Sequence, residues 1–267
     1  MAYVTYADTL DYLLGATVLL RSLRASGAVR PFVLMIPASA AAAFTAAVAA
    51  MTPRPTEVRR VPEIKPTADQ MPTAAYARYS KCLNKLYTWT LTEYDTVCWL
   101  DADLIVSENL DPLLDLPLAE GEIAAAPGCS CNTLGNARLP TAPERCPFNN
   151  PANVYINSGV LVTRPSNAIF DTLLKWNYDY PFPDQDAFNV GFSAPPYRIR
   201  VLPMRYNYLN HLPIAHPTAS TDNIAVFHFG YNKPWLTGQG PLPGTEAIAQ
   251  SFYEKWLRFK DATIISS

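Results

Sequence analysis

Short apolar segments alternate with longer segments of helical periodicity along the first hundred residues. Tyr3–Tyr6 and Pro31–Ile36 have the composition of buried strands, and Leu10–Ser26 between them places apolar residues at helical spacing. A strand, a helix and a second strand in this order form a parallel pair, because the helix returns the chain to the starting edge of the sheet. The alternation therefore predicts an α/β fold with a Rossmann-like, mostly parallel sheet and helices on both faces.

The same patterns continue along the rest of the chain. Further strands are predicted at Glu57–Val61, Val97–Leu100 and Ile224–Phe229, and further helices at Ala38–Ala50, Tyr79–Leu91 and Asn167–Trp176. Regular structure of unspecified type is predicted at Val154–Thr163. Residues 127–153 are rich in Pro, Asn, Gly and Cys and predict a long loop, and such loops are often functional lids. No internal repeat or biased linker interrupts the pattern, which favours a single domain over residues 1–267.

The composition excludes several classes of protein. A hydrophobic content of 49% with 16% charged residues fits a globular protein. The net charge of −2 offers no positive surface to nucleic acid or anionic lipid, so neither a nucleic-acid nor a membrane partner is expected. There is no apolar run of membrane-spanning length, signal peptide or N-x-S/T sequon, and the five cysteines then predict a cytoplasmic protein with reduced thiols.

Three of the cysteines, Cys129, Cys131 and Cys146, fall within the long loop. Zinc sites are usually built from cysteine pairs separated by two to four residues, and the C-x-C spacing here departs from that pattern. Free thiols are therefore favoured over a metal site in this loop. The sequence leaves the role of the loop open.

Two carboxylates interrupt the apolar run VCWLDADLIV at residues 97–106. Asp101 and Asp103 follow the strand Val97–Leu100, and ligands of open α/β sheets bind beyond the carboxyl ends of the strands. With Ala102 between them, both carboxylates can turn toward one point if the strand breaks there. Two unpaired buried carboxylates are costly, and a divalent cation that bridges to a phosphate removes that cost. The alternative is a pair of capping aspartates at a turn, since a lone D-x-D is common.

Six blocks in a fixed order resemble the glycogenin-like branch of family 8 nucleotide-sugar glycosyltransferases. The blocks are AYVTYADTLDYLLGA, SKCLNKLYTWTLTEYDTVCWLDADLIVSENLDPLLDLP, YINSGVL, FPDQDAFN, LPMRYNYL and VFHFGYNKPW. Galactinol synthases of plants share these blocks, and a nearer similarity is to the cytoplasmic protist galactosyltransferases that cap a glycan on the ubiquitin-ligase subunit Skp1. The resemblance implies a GT-A fold, UDP-galactose or UDP-glucose as donor, and a homodimer.

The resemblance also implies a metal site. Mn²⁺, with Mg²⁺ as the alternative, would be held by Asp101, Asp103 and the distant His228, and Lys233 would bind the pyrophosphate. Taken alone, a histidine at the end of an apolar strand is more often a core residue than a ligand. The oxygen ligands suit either ion, and the imidazole favours Mn²⁺.

Other site residues follow from the resemblance. Contacts to the nucleotide sugar are implied for Thr5, Tyr6, Tyr12, Lys85, Ala102, Asn157, Ser158 and Gly230. Asp184 and Gln185 are the candidates nearest the reacting carbon; retention of configuration leaves front-face attack and a covalent intermediate both open. Tyr12 has helix packing as its alternative role, and Asp186 fits an acid at a helix N-terminus.

Departures from glycogenin bear on the acceptor. YNYLNHLP is shorter than the segment that carries glycogenin's own acceptor tyrosine, and Tyr206 and Tyr208 do not match its position. The spacing between His228 and Lys233 is one residue shorter, so the contact of Gly230 with phosphate is doubtful. The expected activity is galactose transfer to a terminal glucose of the Skp1 glycan or to a small glycoside. Alternatives are galactinol synthesis with myo-inositol, autoglucosylation, and a non-catalytic UDP-sugar-binding scaffold.

Overall fold

The computed structural model describes residues 1–72, 74–132, 134–135, 142–236 and 240–262, with the side chains of residues 74–80 left out. The strands are β1 (Ala2–Tyr6), β2 (Phe32–Pro37), β3 (Glu57–Val61), β4 (Val97–Leu100), β5 (Leu104–Val106), β6 (Glu122–Pro127), β7 (Ile156–Thr163), β8 (Arg198–Val201), β9 (Tyr208–Leu209) and β10 (Val226–His228). The α-helices are α1 (Leu10–Ala25), α2 (Ala42–Ala49), α3 (Asp111–Leu114), α4 (Asn167–Leu173), α5 (Pro183–Gly191), α6 (Leu212–Ala215) and α7 (Glu246–Asp261). Segments of 3₁₀-helix span Ala74–Thr90, Pro143–Arg145 and Met204–Tyr206.

The main sheet has seven strands in the order β3-β2-β1-β4-β7-β6-β8. β1 pairs in parallel with β2 and β4, as the alternation of strands and helices predicts. β7 lies antiparallel between β4 and β6, which the sequence patterns did not predict. The register pairs Pro127 with Ile156, so the loop after β6 joins two adjacent strands and needs no crossover helix. That loop therefore lies at the edge where β4 also ends.

The two faces of the main sheet carry separate apolar cores. Successive residues of β1 alternate between them: Tyr3 packs with apolar residues of α1 and α2, while Ala2 and Val4 pack with those of α4 and α5. Side chains of a strand point alternately to opposite faces of the sheet. A strand that is apolar at every position therefore has to be covered by helices on both faces. The prediction of a mostly parallel sheet between two helical layers is confirmed.

A second sheet has three strands in the order β5-β10-β9. Its strand β5 follows β4 of the main sheet after residues 101–103. The second sheet is covered by α7, whose Trp256 is fully buried and whose Phe252 stacks on Phe227 of β10 at 4.5 Å and 7°. The aromatic side chains of α7 therefore pack on the protein's own chain.

Several boundaries differ from the sequence predictions. α2 begins at Ala42 instead of Ala38, because the Ala38 N–H donates to the Val61 carbonyl of β3 at 2.7 Å and extends the sheet contact. α4 ends at Leu173 and not at Trp176, where the last residues form turns instead. β6, β8, β9 and the helix α5 were not predicted. No helix in the described part of the chain is long and apolar enough to cross a membrane.

Candidate functional site

The chain turns between the two sheets at residues 101–103. The Asp101 N–H donates to the Gly159 carbonyl of β7 at 2.8 Å, which holds Asp101 on the main sheet. The Phe229 N–H donates to the Asp103 carbonyl at 3.0 Å, which ties Asp103 to the end of β10. The strand breaks at Ala102 because its two neighbours belong to different sheets. Both carboxylates then face the junction.

A third group joins the two carboxylates. One ligand atom each from Asp101, Asp103 and His228 lies within 4.8 Å of the others. His228 Nε2 is 3.4 Å from Asp103 Oδ1 and 3.9 Å from Asp101 Oδ2. The cluster brings together residues that are more than a hundred positions apart in the sequence.

Hydrogen bonds determine which nitrogen of His228 carries the proton. The Gly159 N–H donates to Asn157 Oδ1 at 2.9 Å, so this atom is the amide oxygen. It also accepts a hydrogen bond from the Asn207 amide nitrogen Nδ2 at 2.7 Å. Asn207 Oδ1 must then accept from His228 Nδ1–H (2.9 Å). When the ring is neutral, its lone pair lies on Nε2, which points toward the two aspartates. This is the tautomer that a histidine ligand needs, with an outer partner that orients the ring.

The charge at this junction fits a divalent cation. Burial opposes ionisation of the Asp103 carboxyl, but the adjacent Lys233 ammonium and His228 together outweigh it and hold the pKa far below its ordinary value. Lys233 Nζ contacts Asp103 Oδ2 and also donates to the carbonyls of Phe229 and Gly230 at 3.1 Å each. The carboxylates of Asp101, Asp103 and Asp184 outnumber the ammonium groups of Lys85 and Lys233 that pair with them, which leaves one formal negative charge. Oxygen and imidazole donors of this kind suit Mn²⁺ or Mg²⁺.

Lys85 forms a buried ion pair beside the metal-ligand cluster. Its Nζ donates to Asp184 Oδ2 at 2.6 Å and to the carbonyl and hydroxyl oxygens of Ser158 at 3.0 and 2.9 Å. Asp101 Oδ1 lies 3.4 Å away. Burial alone would lower the pKa of Lys85, but the carboxylates of Asp101 and Asp184 outweigh it and raise the pKa. In this arrangement Lys85 links the D-x-D to the start of α5.

Gln185 extends the network in the other direction. Its Oε1 accepts from Asn157 Nδ2 at 2.6 Å, and its Nε2 donates to the Tyr155 hydroxyl at 2.8 Å. Tyr155 in turn donates to Asp186 Oδ1 at 2.8 Å, and burial raises the pKa of Asp186. Asp186 Oδ2 also accepts the Phe182 N–H at 3.1 Å, which is the contact expected of an acid at a helix N-terminus. A hydrogen-bonded chain thus runs from α5 to His228.

The end of β1 and the start of α1 form one side of the junction. Thr5 is fully buried, and its hydroxyl has no hydrogen-bond partner among the described residues. Tyr12 is 39% exposed and meets Trp235 edge-on at 5.2 Å. A Cβ on Gly15 would lie 2.6 Å from the Ala102 carbonyl and from Trp235, so only glycine lets α1 approach the D-x-D this closely. Tyr6 lies half-buried at the end of β1. An exposed aromatic edge beside the D-x-D suits a nucleobase.

Sequence reasoning missed several residues of this network. Asn207 bridges the predicted site residues Asn157 and His228, and Tyr155 joins Gln185 to Asp186. The Trp99 indole N–H donates to Asp101 Oδ1 at 2.6 Å. All three lie within or beside the quoted blocks, which was the only available signal. Gly230 lies exposed at the end of β10, where it contributes its carbonyl to Lys233.

Comparisons with known proteins identify the family of this chain. The model of glycosyl transferase family 8 matches residues 3–238. The chain is 30% identical to galactinol synthase 1 of Ajuga reptans over 225 residues, which covers 78% of this chain but only 66% of that protein. Galactinol synthase 3 of Arabidopsis thaliana is 29% identical over 286 residues, covering 96% of this chain and 79% of that protein.

Solved structures show the same fold. The galactosyltransferase LgtC, crystallised with donor and acceptor sugar analogues, superimposes with a TM-score of 0.65 at 20% identity and covers 100% of this chain and 98% of its own. The bifunctional glycosyltransferase WbbM gives a TM-score of 0.65 at 20% identity, with 98% of this chain and 50% of its own covered. The prediction of a GT-A fold is confirmed, and the family match over most of the sequence shows that this chain belongs to glycosyl transferase family 8.

Proposed function

We propose that this protein is a metal-dependent, retaining galactosyltransferase that uses UDP-galactose. The observation that supports this best is the convergence of Asp101, Asp103 and the His228 Nε2 lone pair, with Lys233 beside them. A cation held there would neutralise the negative charge that grows on a departing nucleoside diphosphate. The single imidazole ligand favours Mn²⁺ over Mg²⁺.

Lys233 and the backbone around it would bind the leaving group. Its ammonium pairs with Asp103. A cation that takes over this carboxylate would free the ammonium to turn to the diphosphate as a point charge. Thr5, Tyr6 and Tyr12 would hold the uridine, with the Tyr12 ring edge against the base.

Asp184 and Gln185 would surround the hexose together with Lys85, Asn157 and Ser158. Lys85 holds Asp184 in a buried ion pair, and Asn157 and Tyr155 orient both ends of the Gln185 amide. These polar groups are therefore preorganised for a developing positive charge at the anomeric carbon, which is where such groups act most strongly. Either front-face attack or a covalent intermediate is compatible with this arrangement.

The acceptor we propose is a polyol or sugar hydroxyl, with myo-inositol first because the similar relatives are galactinol synthases. The Skp1-type glycan ending in glucose, which the sequence resemblance favoured, is the alternative acceptor. Self-glucosylation has less support, because Tyr208 is fully buried and Tyr206 packs against the main core. A tyrosine acceptor has to reach another active site, and neither ring is free to do so.

A donor and acceptor screen tests the proposal. The purified protein with Mn²⁺ is incubated with UDP-galactose or UDP-glucose, alone and with myo-inositol or a small α-glucoside, and UDP release and product mass are measured. We expect release from UDP-galactose, and a single α-linked galactose on the acceptor. Absence of UDP release from either donor, at the level of the Asp103→Ala variant, would favour a non-catalytic UDP-sugar-binding scaffold. A ladder of hexoses on the protein itself would favour autoglucosylation.

We also propose that residues 1–267 act as one cytoplasmic GT-A domain that forms a homodimer. The two sheets share the D-x-D junction, which supports the single unit. The dimer rests on the family resemblance, since the aromatic face of α7 covers its own chain.

A further inference from the structure

A second group of metal-ligating side chains lies apart from the D-x-D cluster. Cys129, Cys131 and Cys146 of the long loop meet His216, which follows α6, and one ligand atom of each lies within 4.8 Å of the others. His216 Nε2 is 3.3, 3.6 and 3.4 Å from the three sulfur atoms in that order. We propose that these four residues bind one structural zinc ion.

The distances match tetrahedral zinc. With Zn–S bonds of about 2.3 Å and Zn–N bonds of about 2.0–2.1 Å, tetrahedral angles separate a nitrogen and a sulfur ligand by roughly 3.6 Å. Three sulfurs around one ring nitrogen at this spacing cannot all be hydrogen-bonded to it, because the nitrogen has a single lone pair or a single proton. One cation at the centre satisfies all four ligands at once.

The surroundings also fit thiolate ligands. Asn149 Nδ2 donates to Cys131 Sγ at 3.4 Å. Donors of this kind stabilise metal-bound thiolates and orient them. Phe148 stacks on the His216 ring at 4.9 Å and covers one side of the cluster. All five cysteines are unbridged, so a disulfide does not compete for these sulfurs.

The choice of metal follows from the donor set. Three sulfurs and one imidazole form a closed set of four ligands, which is typical of structural zinc, whereas Mn²⁺ and Mg²⁺ prefer oxygen. The proposal departs from the free thiols that the C-x-C spacing favoured. Sequence spacing could not reveal the fourth ligand, because His216 lies 70 residues beyond Cys146.

Zinc here would fasten the long loop to the segment after α6. The loop forms one wall of a cleft lined by Cys129, Ser130, Arg145, Tyr155, Asp186 and Tyr231. Tyr155 and Asp186 belong to the network of Gln185, so the ion would set the wall of a cleft that opens beside the proposed sugar site. Its role is structural and independent of the D-x-D metal.

Metal analysis tests this site without any assay of activity. The full chain is expressed with zinc, dialysed against metal-free buffer, and analysed by elemental mass spectrometry. We expect about one zinc per chain, retained in the Asp103→Ala variant and lost in Cys146→Ser and His216→Ala. Cys82→Ser removes a cysteine outside the cluster and is the matched control, and His216→Cys should restore binding. Zinc that persists in Cys146→Ser, or wild-type protein that takes up none after reduction and reloading, would overturn the proposal.

Cobalt substitution covers the case in which a variant fails to fold. Wild-type protein reloaded with Co²⁺ should show thiolate-to-cobalt charge-transfer absorption together with the intense visible bands of a tetrahedral site. A spectrum without charge transfer would place the ion on oxygen ligands and overturn the assignment. Bound iron with sulfide would equally do so, because it would make the cluster an iron–sulfur site.

Discussion

At the scale of single residues, Asp103 contacts both His228 and Lys233 at the sheet junction. It is buried, it faces His228 Nε2 at 3.4 Å, and it pairs with Lys233. We expect Asp103→Ala to weaken Mn²⁺-dependent UDP binding by about 100-fold or more, because it removes a charged ligand from the ion that also holds the diphosphate. His228→Ala should cost less, since both carboxylates remain. Isothermal titration calorimetry with UDP, in Mn²⁺ or in EDTA, measures the affinity for UDP. An affinity that changes neither with Mn²⁺ nor with the substitution would contradict the assignment.

The Lys85–Asp184 pair makes a prediction about stability. Both side chains are nearly inaccessible, at 4% and 8% of their full exposure. Lys85→Met leaves a buried carboxylate unpaired and should lower the free energy of unfolding by about 3–5 kcal/mol. The double variant Lys85→Met/Asp184→Leu should recover much of this loss because no uncompensated charge remains. Urea unfolding of the three proteins gives the comparison; equal losses in the single and double variants would argue against an ion-pair effect.

At the scale of elements, the approach of β7 to β10 depends on Gly159. A Cβ there would lie 2.5 Å from His228 Cε1, 2.7 Å from Nδ1 and 2.9 Å from Asn157 Oδ1. Gly159→Ala should push the imidazole out of place, weaken Mn²⁺ affinity and cost about 1–3 kcal/mol of stability through overpacking. Gly240→Ala is the control, because no described atom lies within 4 Å of its added Cβ. Mn²⁺ titration followed by electron paramagnetic resonance distinguishes them, and equal affinities would mean that His228 is not a ligand.

At the scale of the whole molecule, acid should destabilise the fold through His211. This ring is buried beside Tyr231, and burial, helped by the nearby His228 and His216, lowers its pKa from 6.5 to about 4. Below pH 6.5 the unfolded chain binds a proton at His211, whereas the folded state keeps the ring neutral until the pH approaches 4. The free energy of unfolding therefore decreases as the pH falls from 6.5 toward 4. At pH 5 the loss should reach about 2 kcal/mol.

The variant His211→Phe keeps an aromatic ring but removes the titration. Urea unfolding at pH 7 and pH 5 should show a smaller loss of stability in the variant than in the wild type. Equal losses would assign the acid sensitivity to other groups.

Light scattering on the wild-type protein at micromolar concentration tests the homodimer separately, and the mass of a monomer would contradict it.

Local patterns were enough to predict much of this protein. Apolar runs at strand spacing and amphipathic runs at helical spacing placed β1, α1, β3 and β4 to within a residue or two, because such periodicities depend only on neighbours along the chain. The D-x-D after β4 was recognisable because strand ends and ligand sites coincide in α/β sheets. Resemblance then supplied its partner His228.

Tertiary contacts decided the rest. Three features join segments that are distant in the sequence. β7 pairs antiparallel with β4, Asn207 orients His228 from 21 positions away, and His216 contacts Cys129 from 87 positions away. No local periodicity encodes such pairs, since they depend on how the two sheets meet and not on propensity. The amino-acid sequence by itself determined many of the strands and helices and placed the two aspartates directly after β4. Only the folded chain decided what those aspartates face, because a ligand set is a property of distance in space.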